Sequence, residues 1–191
     1  MSLEIHAVTP DRWQDMVTLF ERRGVRGGYR NVPAYGCWCM YWRDRTLEHG
    51  DAKKRAMAKL VRAGREPGLL AYEDGEPIGW VAIAPREEYT PLVRSPQYRP
   101  RDGGGGEAVW SMVCFTIDKP SRRKGVRQAL LNAAVDHAFA HGASSVEAYP
   151  HVAKTLDYMG HIDVFRRAGF VHVRDANKRS VMRIEPARAG R

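Results

Sequence analysis

The sequence predicts a single α/β domain, and three observations carry the prediction. A β-rich run, Val109 to Ile117, is followed after a basic turn by helical periodicity, with Val126, Leu130, Ala134 and Ala138 on one face. Two further β-rich runs, Leu69–Glu73 and Glu76–Ile83, flank Asp74-Gly75, the local signal of a hairpin. The length of 191 residues suits one domain with a real core.

The remaining elements follow in chain order. Residues 4–8 read as a first strand. Thr9-Pro10-Asp11 supplies an N-cap, a first-turn proline and a first-turn acid, and Trp13, Met16, Val17 and Phe20 follow at helical spacing until Gly24 and Gly27-Gly28. Asp51 to Ala63 reads as a second amphipathic helix, with Met57, Leu60 and Val61 turned inward. Residues 85–106 hold four prolines and then Gly103-Gly104-Gly105-Gly106, which predicts a flexible loop, either bordering the substrate mouth or an inert insertion. Gly142 ends the long helix, and Ser145 to Pro150 reads as the next strand. Val171–Val173 and Ser180–Ile184 supply closing strands, and residues 186–191 a short disordered tail.

Bulk properties narrow the function classes. No apolar run approaches bilayer length, so no membrane partner is expected. The first residues lack the basic and apolar regions of a secretory leader, and three cysteines form no pairing framework. A reducing cytoplasm is the expected location. The formal charge of +9 invites nucleic acid, but 22 acids are interleaved with the bases and no groove-reading or aromatic RNA-binding pattern stands out. A positive field also disfavours a polycationic substrate. Cys37 and Cys39, one residue apart and without a second pair, do not make a zinc site. The aromatic segment around them, Tyr35 to Trp42, either walls a pocket or packs as core.

The chemistry sits in Arg122-Arg123-Lys124-Gly125-Val126-Arg127. A helix leaves its first N–H groups without intrachain partners, and its peptide dipoles concentrate positive charge there. A turn that delivers those amides together with cations and a permissive glycine is a site for phosphate.

This turn resembles the acyl-CoA-binding signature of the GNAT superfamily of N-acyltransferases: Arg or Gln, two residues, Gly, one residue, then Gly or Ala. Arg122 and Gly125 match, and Arg127 departs from the small final residue. Phe165-Arg166-Arg167-Ala168-Gly169-Phe170 resembles a second family segment, and the likeness spans residues 69–184 in order. The resemblance implies a mixed, mostly antiparallel central sheet, flanked by helices and splayed between its central strands. It implies acetyl-CoA as co-substrate, with pyrophosphate held by residues 122–127. Phe115, Thr116 and Ile117 would pair with the pantetheine arm, and Phe165 would lie beside the cofactor.

Acyl transfer to an amine requires a held cofactor, a deprotonated nucleophile and a stabilised thioester oxygen. Many relatives carry a tyrosine acid where this chain has Phe165, so Tyr158 becomes the candidate acid. Glu147, on the strand after the long helix and sharing a face with Tyr149, is the candidate base. Asp163, His151 and His161 are weaker candidates, and Cys114 reads as core rather than as a nucleophile. The expected function is acetyl transfer by direct attack of a small-molecule primary amine. A protein lysine or N-terminal acetyltransferase, a non-catalytic acyl-CoA sensor and a nucleic-acid-binding module are the alternatives, and a homodimer is left open.

Overall fold

In the computed structural model, which describes residues 3–22, 38–47, 50–99, 108–153 and 158–187, seven strands build one sheet. They are β1 (Leu3–Ala7), β2 (Gly68–Glu73), β3 (Glu76–Pro85), β4 (Val109–Ile117), β5 (Ser145–Ala148), β6 (Val171–Ala176) and β7 (Arg179–Ile184). Their order is β1-β2-β3-β4-β5-β7-β6, and β4–β5 is the one parallel pair. That pair needs a crossover, which is made by α4 (Val126–Ala140). The predicted mixed, mostly antiparallel sheet is therefore observed.

Helices cover both faces. On one face α1 (Trp13–Glu21) and α2 (Gly50–Arg62) bury Met16, Leu19, Phe20, Met57 and Val61 against Leu70, Trp80 and Ala82. On the other, α4 sets Val126, Leu130, Ala134 and Ala138 against Ala71, Val81 and Ile83, with α5 (Ile162–Arg167) adding Ile162 and Phe165. The fourfold spacing read in the sequence is the packed stripe of α4. Close approach matters at Gly79, where an added Cβ would sit 3.0 Å from Leu130 and 3.1 Å from Val126. The Asp74-Gly75 hairpin forms as predicted, with φ of 51° and 82° at its two turn residues.

The Pro-rich stretch departs from the predicted loop. Arg86–Glu88 form a 3-10 turn and Thr90–Val93 a single helical turn, α3, entered through Pro91. Proline tolerates a first-turn position because its missing N–H would be unpaired there anyway. Gly103–Gly106 and Cys37 lie outside the described residues, as do residues 188–191 of the expected tail.

Two irregularities shape the centre of the sheet. Pairing of β4 with β5 stops at Met112 opposite Ala148, and the strands part beyond it. In the same place β4 carries a bulge against β3: Ala82 pairs with Cys114 and Ile83 with Met112, leaving Val113 as the extra residue.

Candidate active site

The end of β4 leads directly into the basic turn. Asp118 anchors it: its N–H donates to the Ile78 carbonyl at 2.8 Å, its Oδ1 accepts from the Lys119 N–H at 2.7 Å, and Arg22 reaches its Oδ2 at 3.0 Å. Lys119–Ser121 form a 3-10 turn, and Arg123 and Gly125 then take positive φ, 65° and 83°. For Gly125 that conformation carries no Cβ penalty; for Arg123 it is an uncommon strained position of the sort that collects at ligand sites. Val126 is buried and pins the helix start to the core, while Arg123, Lys124 and Gly125 are exposed.

No side chain caps α4, and its first turn carries no acid. The positive helix terminus is thus left to cations and solvent, the arrangement an anion needs. Lys124 leans toward Glu73, with Nζ 3.7 Å from Oε2. Arg122 folds back, donating from Nε to the Ile117 carbonyl at 3.1 Å. Arg127 does not point outward. Its guanidinium lies over the Phe115 ring, 5.6 Å from the centroid, at the edge of the splay.

Along the splay, the structure revises what the resemblance implies for β4. The Phe115 N–H donates to the Tyr158 carbonyl at 2.6 Å, and the Ile117 carbonyl is taken by Arg122. Backbone groups alternate across a strand, so those of Thr116 face β3, where it pairs with Trp80. Two of the three expected pantetheine partners therefore meet protein here, and the third faces the other way. Phe165 is fully buried, with its ring centroid 6.3 Å from that of Phe115 and 5.3 Å from that of Phe170. It backs the cleft rather than lining it. Tyr158 is partly exposed at the cleft, its ring under the Arg179 guanidinium at 5.5 Å.

Glu147 sits where the parted strands begin, opposite Ser111. It is buried, and both carboxylate oxygens are engaged. Oε1 accepts from Arg183 at 2.8 Å; Oε2 accepts from the Tyr149 hydroxyl at 3.0 Å and from Arg86 at 3.4 Å. The Tyr149 hydroxyl also meets Ser111 Oγ at 2.9 Å. Burial, reinforced by the Glu147 charge, pushes the Tyr149 phenol well above its ordinary pKa. Three donors, two of them guanidiniums, occupy most of the roughly four acceptor sites of this carboxylate.

The weaker candidates have local tasks. His161 caps α5 by accepting from the Asp163 N–H at 3.3 Å, and His151 accepts from the Ala153 N–H at 3.0 Å. Cys114 is buried in the core. Trp38 stacks on Phe20 and Cys39 Sγ accepts from the Trp80 indole at 2.8 Å, so this part of the aromatic segment packs as core.

The sequence matches the model of the acetyltransferase (GNAT) family over residues 34–170. The chain belongs to that family. As a GNAT acetyltransferase it uses acetyl-CoA as co-substrate for acyl transfer. None of the curated proteins matches the sequence. Solved structures share its fold at low identity. PaiA N-acetyltransferase from Thermoplasma acidophilum, in complex with coenzyme A, superposes with a TM-score of 0.58 at 12% identity, covering 97% of this chain and 99% of its own. YncA from Salmonella typhimurium, with its cofactor acetyl-CoA, gives 0.56 at 14% identity, covering 100% and 98%. Ribosomal-protein-alanine N-acetyltransferase from Brucella melitensis gives 0.54 at 13%, covering 94% and 96%.

Arg86 and Arg183, the partners of Glu147, were not singled out in the sequence of this GNAT protein. They lie 61 and 36 residues from it, and no periodicity links them. The one available signal was the alternation that puts Glu147 and Tyr149 on the same face.

Proposed function

We propose that this protein moves the acetyl group of acetyl-CoA to the primary amine of a small molecule by direct attack. The observation that carries the reading is one junction: the strands part at Met112 and Ala148, and the same strand β4 then delivers the uncapped start of α4. Pyrophosphate held by the α4 amides, Arg123 and Lys124 would run its pantetheine arm into the splay. For the arm to lie along β4, the Tyr158 carbonyl must yield the Phe115 N–H. That exchanges one hydrogen bond for another, at small net cost. The bulge at Val113 interrupts the regular ladder where the thioester would arrive, and its backbone N–H is our candidate donor for the oxygen that gains charge.

The small acceptor is inferred from the wall beside β5. Trp42, Tyr98 and Tyr149 are buried edge to face, with centroids 5.5 Å and 5.3 Å apart. Arg174 ties the Tyr98 segment down by donating to the Gln97 and Arg99 carbonyls. Such a fixed wall suits a small amine better than a peptide. Glu147 holds this wall through Tyr149 and acts as a positioning residue. Tyr158, at the cleft edge, is the proposed acid that protonates the departing thiolate.

Thiol release from acetyl-CoA, measured across small primary amines and across lysine and N-terminal peptides, tests the reading. Turnover of small amines with peptides inert is expected. Peptide turnover alone would make it a protein acetyltransferase, and acetyl-CoA binding without any turnover would make it a sensor. No thermal stabilisation at a hundredfold excess over a micromolar Kd, where about 2.7 kcal/mol is expected, would remove the cofactor site altogether.

A further inference from the structure

Far along α4 from Gly125, roughly 18 Å away at 1.5 Å per residue, three metal-type ligands converge. His137 lies in the last turn of α4 and His141, four residues on, is its C-cap. Glu66, between α2 and β2, faces both: its Oε2 is 3.5 Å from His137 Nε2 and 3.8 Å from His141 Nε2. The Trp110 indole packs against both imidazoles, with centroids 5.7 and 5.8 Å away.

Across this cluster a lone pair of His141 faces the Glu66 carboxylate. His141 Nδ1 is 2.8 Å from the His137 carbonyl. A carbonyl only accepts, so Nδ1 carries the hydrogen and Nε2 of the neutral ring is bare. His137 Nε2 is buried and makes no hydrogen bond. The cluster also sits in the last turn of α4, where the helix dipole favours a cation.

We propose that Glu66, His137 and His141 form a divalent transition-metal site, with zinc the favoured occupant and water completing the shell. Two imidazoles with one carboxylate suit zinc, whose bonds of about 2.0–2.1 Å set tetrahedral ligand atoms about 3.4 Å apart. The three ligand atoms already lie within 4.8 Å of one another. The bond from His141 Nδ1 to a backbone carbonyl is the outer-shell support that zinc-bound histidines use. A metal here would brace the end of α4 to the connector before β2 and would take no part in acyl transfer.

Calorimetric titration of zinc into untagged, chelator-stripped protein tests this directly. One equivalent should bind, raise the melting temperature, and weaken as pH falls and the imidazoles protonate. Glu66→Gln, on a half-exposed connector that leaves the fold alone, should weaken binding at least about tenfold, as should His141→Ala. His172→Ala, at a surface histidine paired with Asp175, should change nothing. Copper(II) should quench Trp110, a component that Trp110→Phe removes while zinc stoichiometry stays at one. The proposal is overturned if wild-type protein shows no saturable zinc binding, if Glu66→Gln and His141→Ala bind as wild type, or if His172→Ala abolishes binding.

Discussion

Tyr149 donates its hydroxyl to Glu147 across 3.0 Å in a region that excludes solvent from both side chains. Because Arg86 and Arg183 hold the same carboxylate, the Glu147 charge is a structural keystone of β5. Removing one partner from a buried ion pair leaves the others uncompensated. Glu147→Gln should therefore cost roughly 3 kcal/mol of stability, read as a lower denaturation midpoint in urea. Its pH–rate profile should keep its shape. A variant of wild-type stability that loses the acidic limb of that profile would restore Glu147 as the direct base.

Buried phenols steepen the alkaline limit, Tyr89 and Tyr149 being the two with no exposed surface among the described residues. Burial raises the pKa of Tyr89 and of Tyr149 above the ordinary tyrosine value. The folded state then holds protons that the unfolded chain releases above about pH 10. Their contribution is complete below that pH and is lost as pH rises toward the folded values, by about 1.4 kcal/mol per pH unit for each group. Urea midpoints should fall steeply above pH 10, and Tyr149→Phe should flatten the slope while lowering stability at pH 7. An unchanged slope in that variant would contradict the burial of this phenol.

The elements that repeat locally were legible in the sequence. The α4 stripe, the β2–β3 hairpin and the β4 run each carry their signal within about fifteen residues. The turn at 122–127 was legible because its chemistry is contiguous. What escaped depends on distant approach. Arg86 was hidden in a Pro-rich stretch read as loop, and Arg183 on a strand whose neighbour was unknown. The Tyr158 carbonyl on Phe115 involves backbone alone, which no side-chain pattern encodes. Arg127 departs from the small residue of the motif, and its place over the Phe115 ring could not be read from the sequence.

Gly68 illustrates a constraint of contact. A Cβ there would fall 2.0 Å from the Val81 carbonyl oxygen and 2.6 Å from the Trp80 ring. Backbone and a buried indole cannot yield as a flexible side chain does. Gly68→Ala should destabilise the β2–β3 pairing by about 1–3 kcal/mol, measured by thermal melt, with the acetyl-CoA KM of the surviving folded protein unchanged.

The phosphate turn should respond differently at its glycine and its lysine. Gly125→Ala forces a left-handed Cβ, at about 1 kcal/mol, and shifts the amides that face the anion. Its melting point should drop slightly, and the KM for acetyl-CoA should rise several-fold with kcat nearly kept. Lys124→Ala loses an exposed charge and its loose pairing with Glu73, which at a surface contributes little. It should leave the melt untouched, raise KM modestly, and reduce the dependence of KM on salt. If both variants bind acetyl-CoA as wild type does, the diphosphate lies elsewhere.

Tyr158 offers the sharpest separation of chemistry from packing. Its ring is partly exposed and lies under Arg179, and its carbonyl rather than its hydroxyl holds Phe115. Tyr158→Phe keeps the ring and the backbone bond, so fold and acetyl-CoA affinity should persist. If the hydroxyl protonates the leaving thiolate, kcat should fall about 100-fold with KM unchanged. The amine itself contributes the opposite pH trend: with a pKa near 10, about one molecule in a thousand is free base at pH 7, so wild-type rates should climb with pH. At the alkaline end the loss of a phenolic proton should turn that climb over, and in Tyr158→Phe the turnover should vanish. Equal kcat values for variant and wild type, with the same alkaline limb, would assign the proton to solvent instead.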